Sequence, residues 1–165
     1  MQRAGTGYDI HRLEEGRRFV LGGVTLPFAR GPLGHSDGDA LLHAVIDALL
    51  GAAAWGDIGG RFPPADPAWK DADSRALLAT VVSELATAGW SVVNVDATVL
   101  LEAPRLAPHI AVMRATIAAA LGVAVERVSV KAKTNEGLDA IGEGRAVAAQ
   151  AVALIARGPS PRTRA

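Results

Sequence analysis

The sequence contains no cysteine, which excludes a disulfide framework and thiolate metal sites and leaves His, Asp and Glu as the strong ligands available. It has no excess of charge of either sign. Its 17 basic and 17 acidic side chains give a formal net charge of zero, so no nucleic-acid or membrane footprint is indicated, and any phosphate must be met locally. Long hydrophobic runs are missing too. The opening "MQRAGTGYDIH" has no apolar signal core, and the longest apolar helix pattern is interrupted by His43 and Asp47. Neither a signal peptide nor a membrane span is supported, and a cytoplasmic protein is expected. A G-x-S-x-G elbow, a P-loop and a Rossmann glycine pattern after a strand are all absent, which removes the usual support for serine hydrolase, nucleotide kinase and NAD readings.

What is present is a chain of 165 residues, half of them apolar, enough for one core. We expect a single domain over residues 1–157 and a disordered basic tail over 158–165. The first strand is predicted around Thr6 to His11, followed by two short strands or a hairpin in "RRFVLGGVTLPF", with Gly22-Gly23 at the turn. Leu41, Leu42, Val45, Ile46, Leu49 and Leu50 recur at helical spacing, and Ser36 with Asp39 resembles a capping box, which predicts a helix from Asp37 to about Ala53. "WGDIGGRFPPADPAWKDADS" lacks periodicity and reads as a long ordered loop and a candidate lid. A second helix is predicted from Ser74 to Ala88, a long strand in "WSVVNVDATVLLEA", a third helix from Pro108 to Leu121, a strand in "RVSVKAKT" and a final helix in "RAVAAQAVALIA". The order β-β-β-α-α-β-α-β-α points to an α/β (α+β) sandwich, a mixed sheet with helices on one face.

The chemistry concentrates in a few segments. In "YDIHRL", Asp9 and His11 leave one face of an extended backbone, which is ligand geometry, although a turn-capping aspartate beside a surface histidine fits a lone D-x-H as well. His43 lies one turn inside a helix whose neighbours point to burial, where an unpaired imidazole is costly. Asp47, four residues on, is placed either to accept the second N–H of that ring or to form a plain His-Asp helix pair. Asp9, His11 and His43 together would leave one position of a tetrahedral zinc open, as a Lewis acid needs. His35 and Ser36 precede a helix N-terminus that attracts anions. "KAKTNEGLDAIGEGR" groups Lys131, Lys133, Thr134 and Glu136 after a strand, as a phosphate or Mg²⁺ contact or as an ordinary charged loop. Unaided, this describes a metal-dependent enzyme acting on a phosphorylated small molecule.

Five segments together, "GYDIHRL", "HSDGDALLHAVIDALLGAAAWGDIG", "FPPADPAWKDADS", "APRLAPHI" and "VSVKAKTNEGLDAIGEG", resemble the 2-C-methyl-D-erythritol 2,4-cyclodiphosphate synthase family of the non-mevalonate isoprenoid pathway, from about Gly5 to Ala156. The resemblance implies a homotrimer with ferredoxin-like βαβ elements and active sites between neighbouring subunits. It implies cyclisation of 4-diphosphocytidyl-2-C-methyl-D-erythritol 2-phosphate with release of CMP, in which a phosphate oxygen attacks a phosphorus of the same molecule and no serine or cysteine nucleophile is needed. The same resemblance implies that Asp9, His11 and His43 hold a divalent ion, zinc in the first place, and that Glu136 helps to hold a second, magnesium- or manganese-like ion at the diphosphate. His35 and Thr134 match the stabilising positions of the transition state, and Asp47 orients His43. Asp9, His11, His35, Ser36, Asp57, Ile58, Gly59, Phe62, Pro63, Pro64, Ala65 and Asp66 surround the methylerythritol part. Ala103, Pro104, Arg105, Leu106, Ala107, Ala132, Lys133 and Thr134 form the cytidine pocket.

Two departures from the family pattern stand out. Ala140 replaces an aromatic residue, and "GEGRA" replaces "GRGEG", so Glu143 stands where the family has an arginine and Arg145 where it has a glutamate. That arginine faces a central channel that holds isoprenoid diphosphates in the family; a glutamate there repels an anion, so weak or absent binding of such ligands is expected. A metal-dependent phosphohydrolase that activates water on the same ligands, and a trimeric sensor without turnover, are the rival readings.

Overall fold

The alternation of apolar and polar residues at the N-terminus builds a strand twice as long as its apolar pattern predicts. In the computed structural model, which describes residues 1–158, β1 runs Gln2–Glu15. A hairpin of β2 (Phe19–Leu21) and β3 (Val24–Leu26) follows, turned by Gly22 and Gly23 at φ 60° and 72°, the positive values that tight hairpin turns demand. Then come β4 (Arg30–Pro32), α1 (Ala40–Ala53), the short α2 (Ile58–Arg61), α3 (Ser74–Thr87), β5 (Trp90–Leu100), α4 (Ile110–Leu121), β6 (Val128–Lys133), the short α5 (Asp139–Gly142) and β7 (Ala146–Arg157). Of the expected tail, residues 159–165 lie outside the described residues.

The main sheet is mixed, in the order β4-β1-β7-β5-β6, with β5 and β6 parallel and the other pairs antiparallel. The parallel pair is joined through α4, the crossover that such a pair requires. The three long helices pack into one core over one face of the sheet. Short α5 lies on the other face, where Ile141 packs with Ala146, Ala148 and Leu100. Beyond α5 that face is open: Tyr8, Ile10 and Val152 are 50%, 47% and 47% exposed. Among the described residues no helix is long and apolar enough to cross a membrane.

Two predictions are corrected. "RAVAAQAVALIA" is the central strand β7, hydrogen-bonded on both edges, and not a final helix. Alanine favours helix locally, and the period-2 signature is missing because the outward positions of β7 are apolar as well, Ala146 and Ala148 under α5 and Val152 on the open face. Ala149, Ala151, Ala153 and Ile155 are buried under α1, while Gln150 and Val152 face outward. The second correction is the start of α1, which begins at Ala40 and not at Asp37. Asp39 is its N-cap, its side chain accepting from the Leu42 N–H at 3.0 Å. The helix is buried except at Asp47 and Gly51 because it lies between the sheet and α3.

Close approach of α1 to the sheet is set by glycine. A Cβ at Gly5 would come within 2.1 Å of the Ala48 carbonyl oxygen, and one at Gly7 within 2.0 Å of that of Ala44. Only hydrogen at these two positions lets the helix rest on β1. That contact brings His43 down to the strand that carries Asp9 and His11.

Candidate active site

Asp9 and His11, alternate residues of β1, point toward α1, and His43 descends from the first turn of that helix. The Asp9 Oδ2 lies 2.9 Å from Nδ1 of His11 and 2.9 Å from Nδ1 of His43. The two rings are 5.3 Å apart and tilted by 51°, and one ligand atom from each of the three residues falls within 4.8 Å of the others. His43 Nδ1 is aligned for a hydrogen bond to Asp9, but His11 Nδ1 is buried without a hydrogen-bond partner. A buried polar atom in that state calls for an additional ligand. Two imidazole nitrogens and a carboxylate oxygen converging around an unsatisfied nitrogen suit a divalent cation with a position left for substrate.

The electrostatics agree with that donor set. Burial works against an ionised Asp9, yet the close imidazoles of His11 and His43 outweigh it and hold the carboxyl well below the usual carboxylate range. Burial likewise opposes a charged His43, but the hydrogen bond and charge of Asp9, with the charges of Asp39 and Asp37, push its pKa up.

The other edge of the His43 ring meets residues that the sequence did not connect with it. Nε2 lies 2.9 Å from Oγ of Ser74 and 3.2 Å from Oγ of Ser36. Ser74 reads in sequence as the end of the lid segment and the start of a helix, yet it is fully buried, and the capping of α3 is done by Asp73. The expected partner, Asp47, does not bind the ring. Its Oδ1 accepts the Ile58 N–H at 2.7 Å and so ties α2 to α1. An i to i+4 spacing places two side chains on one face, but here Asp9 from the strand takes the ring nitrogen first.

His11, His35, Ser36 and His43 line a cavity of about 180 Å³, closed by Ile58, Gly59, Phe62, Pro64, Trp69 and Leu77. The segment read as a lid therefore does form a wall, and it is more structured than predicted. It contains α2, capped by Asp57 through the Gly60 N–H, and a 3₁₀ turn at Pro67–Trp69 capped by Asp66. Asp57, Pro63, Ala65 and Asp66 are not among the lining residues, whereas Trp69, packed edge-on against Phe62, was not anticipated.

A second cavity, about 190 Å³, is lined by Leu101, Glu102, Pro104, Arg105, Leu106, Ala107, Ala132, Lys133 and Thr134. This set holds every residue expected around a cytidine except Ala103, whose peptide bond to Pro104 is cis, and adds Leu101 and Glu102. Thr134 Oγ1 lies 3.3 Å from Glu136 Oε1, and Glu136 is not part of the Asp9 group. Lys131 is held by Asp96 at 2.6 Å on the outward side of the sheet. The two cavities share no lining residue within the chain, and each alone is smaller than the roughly 300 Å³ usual for a small-molecule site.

Residues 2–156 match the model of the YgbB family. The 2-C-methyl-D-erythritol 2,4-cyclodiphosphate synthases of Burkholderia thailandensis and Burkholderia mallei are 57% identical to this chain over 155 residues, 94% of this chain and 96% of theirs. Among solved structures, a bifunctional IspDF from Campylobacter jejuni aligns with a TM-score of 0.92 and 34% identity, over 96% of this chain and 43% of that longer one. A 2C-methyl-D-erythritol-2,4-cyclodiphosphate synthase aligns with a TM-score of 0.87 and 38% identity over 93% and 100% of the two chains. An IspF of Plasmodium falciparum in complex with CDP gives 0.83 and 31% over 94% and 96%. With a near-complete family match, relatives more than half identical along their whole length and a converging Asp9, His11 and His43, the chain belongs to the YgbB family.

Proposed function

We propose that the protein converts 4-diphosphocytidyl-2-C-methyl-D-erythritol 2-phosphate into 2-C-methyl-D-erythritol 2,4-cyclodiphosphate and CMP, as a phosphorus-oxygen lyase of the non-mevalonate isoprenoid pathway. The observation that carries this reading is the convergence of Asp9, His11 and His43 beside a cavity bounded by His35 and Ser36.

In the reaction an oxygen of the 2-phosphate forms a bond to the β-phosphorus of the diphosphate, and the bond from that phosphorus to the CMP oxygen breaks with its electron pair. The nucleophile is an anion from the start, so the barrier is mostly repulsion and misalignment, and catalysis is positioning and charge stabilisation. Asp9, His11 and His43 would hold a divalent ion, with zinc the ion that two imidazoles and one carboxylate favour. Such an ion, when bound, screens and polarises phosphate oxygens. Glu136 would serve a second, magnesium- or manganese-like ion at the diphosphate. His35 and Thr134 aim donors at phosphoryl oxygens as charge develops. Ile58, Gly59, Phe62 and Pro64 exclude water around the methylerythritol carbons, and the backbone of Pro104 to Ala107 and of Ala132 to Thr134 reads the base.

We further propose a homotrimer of single-domain subunits, residues 1–157, with ferredoxin-like βαβ elements, working in the cytoplasm. The open sheet face around Tyr8, Ile10 and Val152 supports self-association. The two half-sized cavities support a site completed by a neighbour, in which the His11 and His43 cavity of one subunit faces the Thr134 cavity of the next.

Phosphorus NMR of the protein with the cytidylyl substrate, Zn²⁺ and Mg²⁺ tests the reading. Cyclic diphosphate and CMP that appear with the parent protein and vanish with His43→Ala are expected. Free phosphate in their place, or an unchanged spectrum, overturns it.

A further inference from the structure

We propose that Ser74, with Asp37 behind it, is a positioning residue of the metal site, fixing the tautomer and the aim of His43. The proposal rests on the reading of Asp9, His11 and His43 as metal ligands and deepens it. Ser74 Oγ donates to Asp37 Oδ1 at 2.5 Å, and the Ser74 N–H donates to Asp37 Oδ2 at 3.0 Å. The Ser74 hydroxyl hydrogen is thus committed to a carboxylate, which has none to give back. Toward His43, 2.9 Å away, the serine oxygen acts only as an acceptor. Nε2 therefore carries a ring hydrogen, and the nitrogen left to bind an ion is Nδ1, which lies 2.9 Å from Asp9 Oδ2 where the three ligand atoms converge. A ligating histidine usually makes this outer contact straight to a carboxylate or carbonyl. Here a buried hydroxyl relays the carboxylate's demand.

Asp37 is in turn held in place. Its Oδ1 also accepts the Asp39 N–H at 3.1 Å, its own N–H donates to the Ala72 carbonyl at 3.1 Å, and the Asp71 N–H donates to the His35 carbonyl at 2.8 Å. These contacts stitch residues 71–74, where the cavity wall ends, to residues 35–37, where the α1 approach begins. The aim of His43 therefore depends on the junction between two segments far apart in sequence, and no contact within α1 supplies it.

The test is metal binding, read independently of turnover. Chelator-stripped protein is titrated with Co²⁺ by visible absorption and with Zn²⁺ against a chromophoric chelator, and thermal unfolding is recorded for each apo form. Parent protein is expected to take one Co²⁺ per chain with the intense bands of a tetrahedral site. Ser74→Ala should bind Zn²⁺ about 10- to 100-fold more weakly, the loss seen when an outer-shell partner is removed, and shift the Co²⁺ bands. Ser74→Thr, which keeps the hydroxyl, should stay near the parent. If Ser74→Ala does not fold, Asp37→Asn serves, expected to be weakened in the same direction while folding normally. Parent-like affinity and bands in Ser74→Ala, or in a folded Asp37→Asn, overturn the proposal while the metal site stands. No binding by the parent protein overturns the metal site itself.

Discussion

The backbone N–H of Ile58 donates to Asp47 Oδ1 at 2.7 Å, so the carboxylate one turn past His43 holds the wall of the cavity and not the imidazole. Burial pushes the Asp47 carboxyl up, the Ile58 N–H opposes it, and the charge of Asp57 adds to the rise. A folded-state pKa above the unfolded one contributes stability that is present at low pH and lost as pH rises through the folded value. Asp47→Asn keeps an acceptor for Ile58 and removes the ionisation. It should melt higher than the parent at about pH 7, and the gap should close toward about pH 4, near the ordinary carboxylate value. Thermal scans at both pH values decide; a gap that is constant with pH would refute the assignment.

Gly7→Ala should destabilise the fold by roughly 3 kcal/mol or more, since the added methyl meets backbone and no flexible side chain can yield. Zinc affinity should fall with it, because α1 cannot rise from β1 without lifting His43 from Asp9. Urea unfolding and metal titration of the same sample check both effects. An unchanged midpoint would mean that the helix has slack the packing does not show.

Asp39 is buried and accepts the N–H groups of Gly22 at 2.9 Å, Gly23 at 2.6 Å and Leu42 at 3.0 Å. One carboxylate thereby caps α1 and pins the β2–β3 turn to it. Asp39→Ala removes a cap and orphans buried donors, a combined loss of about 3 kcal/mol. Asp39→Asn should lose less, because one oxygen can still serve Gly22 and Leu42. Denaturant midpoints of the two variants give the order, and an equal loss in both would refute the shared-acceptor account.

A site completed by a neighbour predicts rescue between dead variants. His43→Ala and Thr134→Ala subunits, unfolded together in equal amounts and refolded, should regain about a quarter of parental activity, since each half of a site is intact with a chance of one half under random cyclic assembly. CMP release by the mixture measures it. Activity no greater than that of the separate variants would place both halves within one subunit.

The ion pair between Arg145 and Glu143, 2.6 Å from Nε to Oε2, ties the arginine of the altered segment to its own neighbour. Geranyl diphosphate should show no heat on titration at micromolar concentration, and the double reversal Glu143→Arg with Arg145→Glu should create binding. Micromolar binding by the parent protein would contradict this.

How much of this was legible in the sequence differs by element. The apolar spacing of Leu41 to Leu50 and of Leu77 to Leu85 gave α1 and α3 to within a few residues, and the two-residue step from Asp9 to His11 gave their common face. β7 was not legible, because apolar residues occupy its outward positions as well as its buried ones and its alanines favour a helix. The partners of His43 were not legible for another reason. Asp9 lies 34 residues before it and Ser74 31 after it, and no local spacing encodes a contact made only when strand, helix and loop end meet. Asp47, at the one spacing that local rules do favour, was the expected partner and is not one.

Asp9 and His11 sit on a strand paired along its length with β7, and His43 sits on a buried helix, so none of the three ligands hangs from a loop. A zinc finger, whose ligands meet only when metal arrives, couples capture to folding and carries a large heat-capacity change. Here little chain remains to be ordered when an ion enters. Calorimetric capture should therefore show a heat-capacity change near zero, and its rate should follow the shedding of water by the ion, with no lag from the polypeptide.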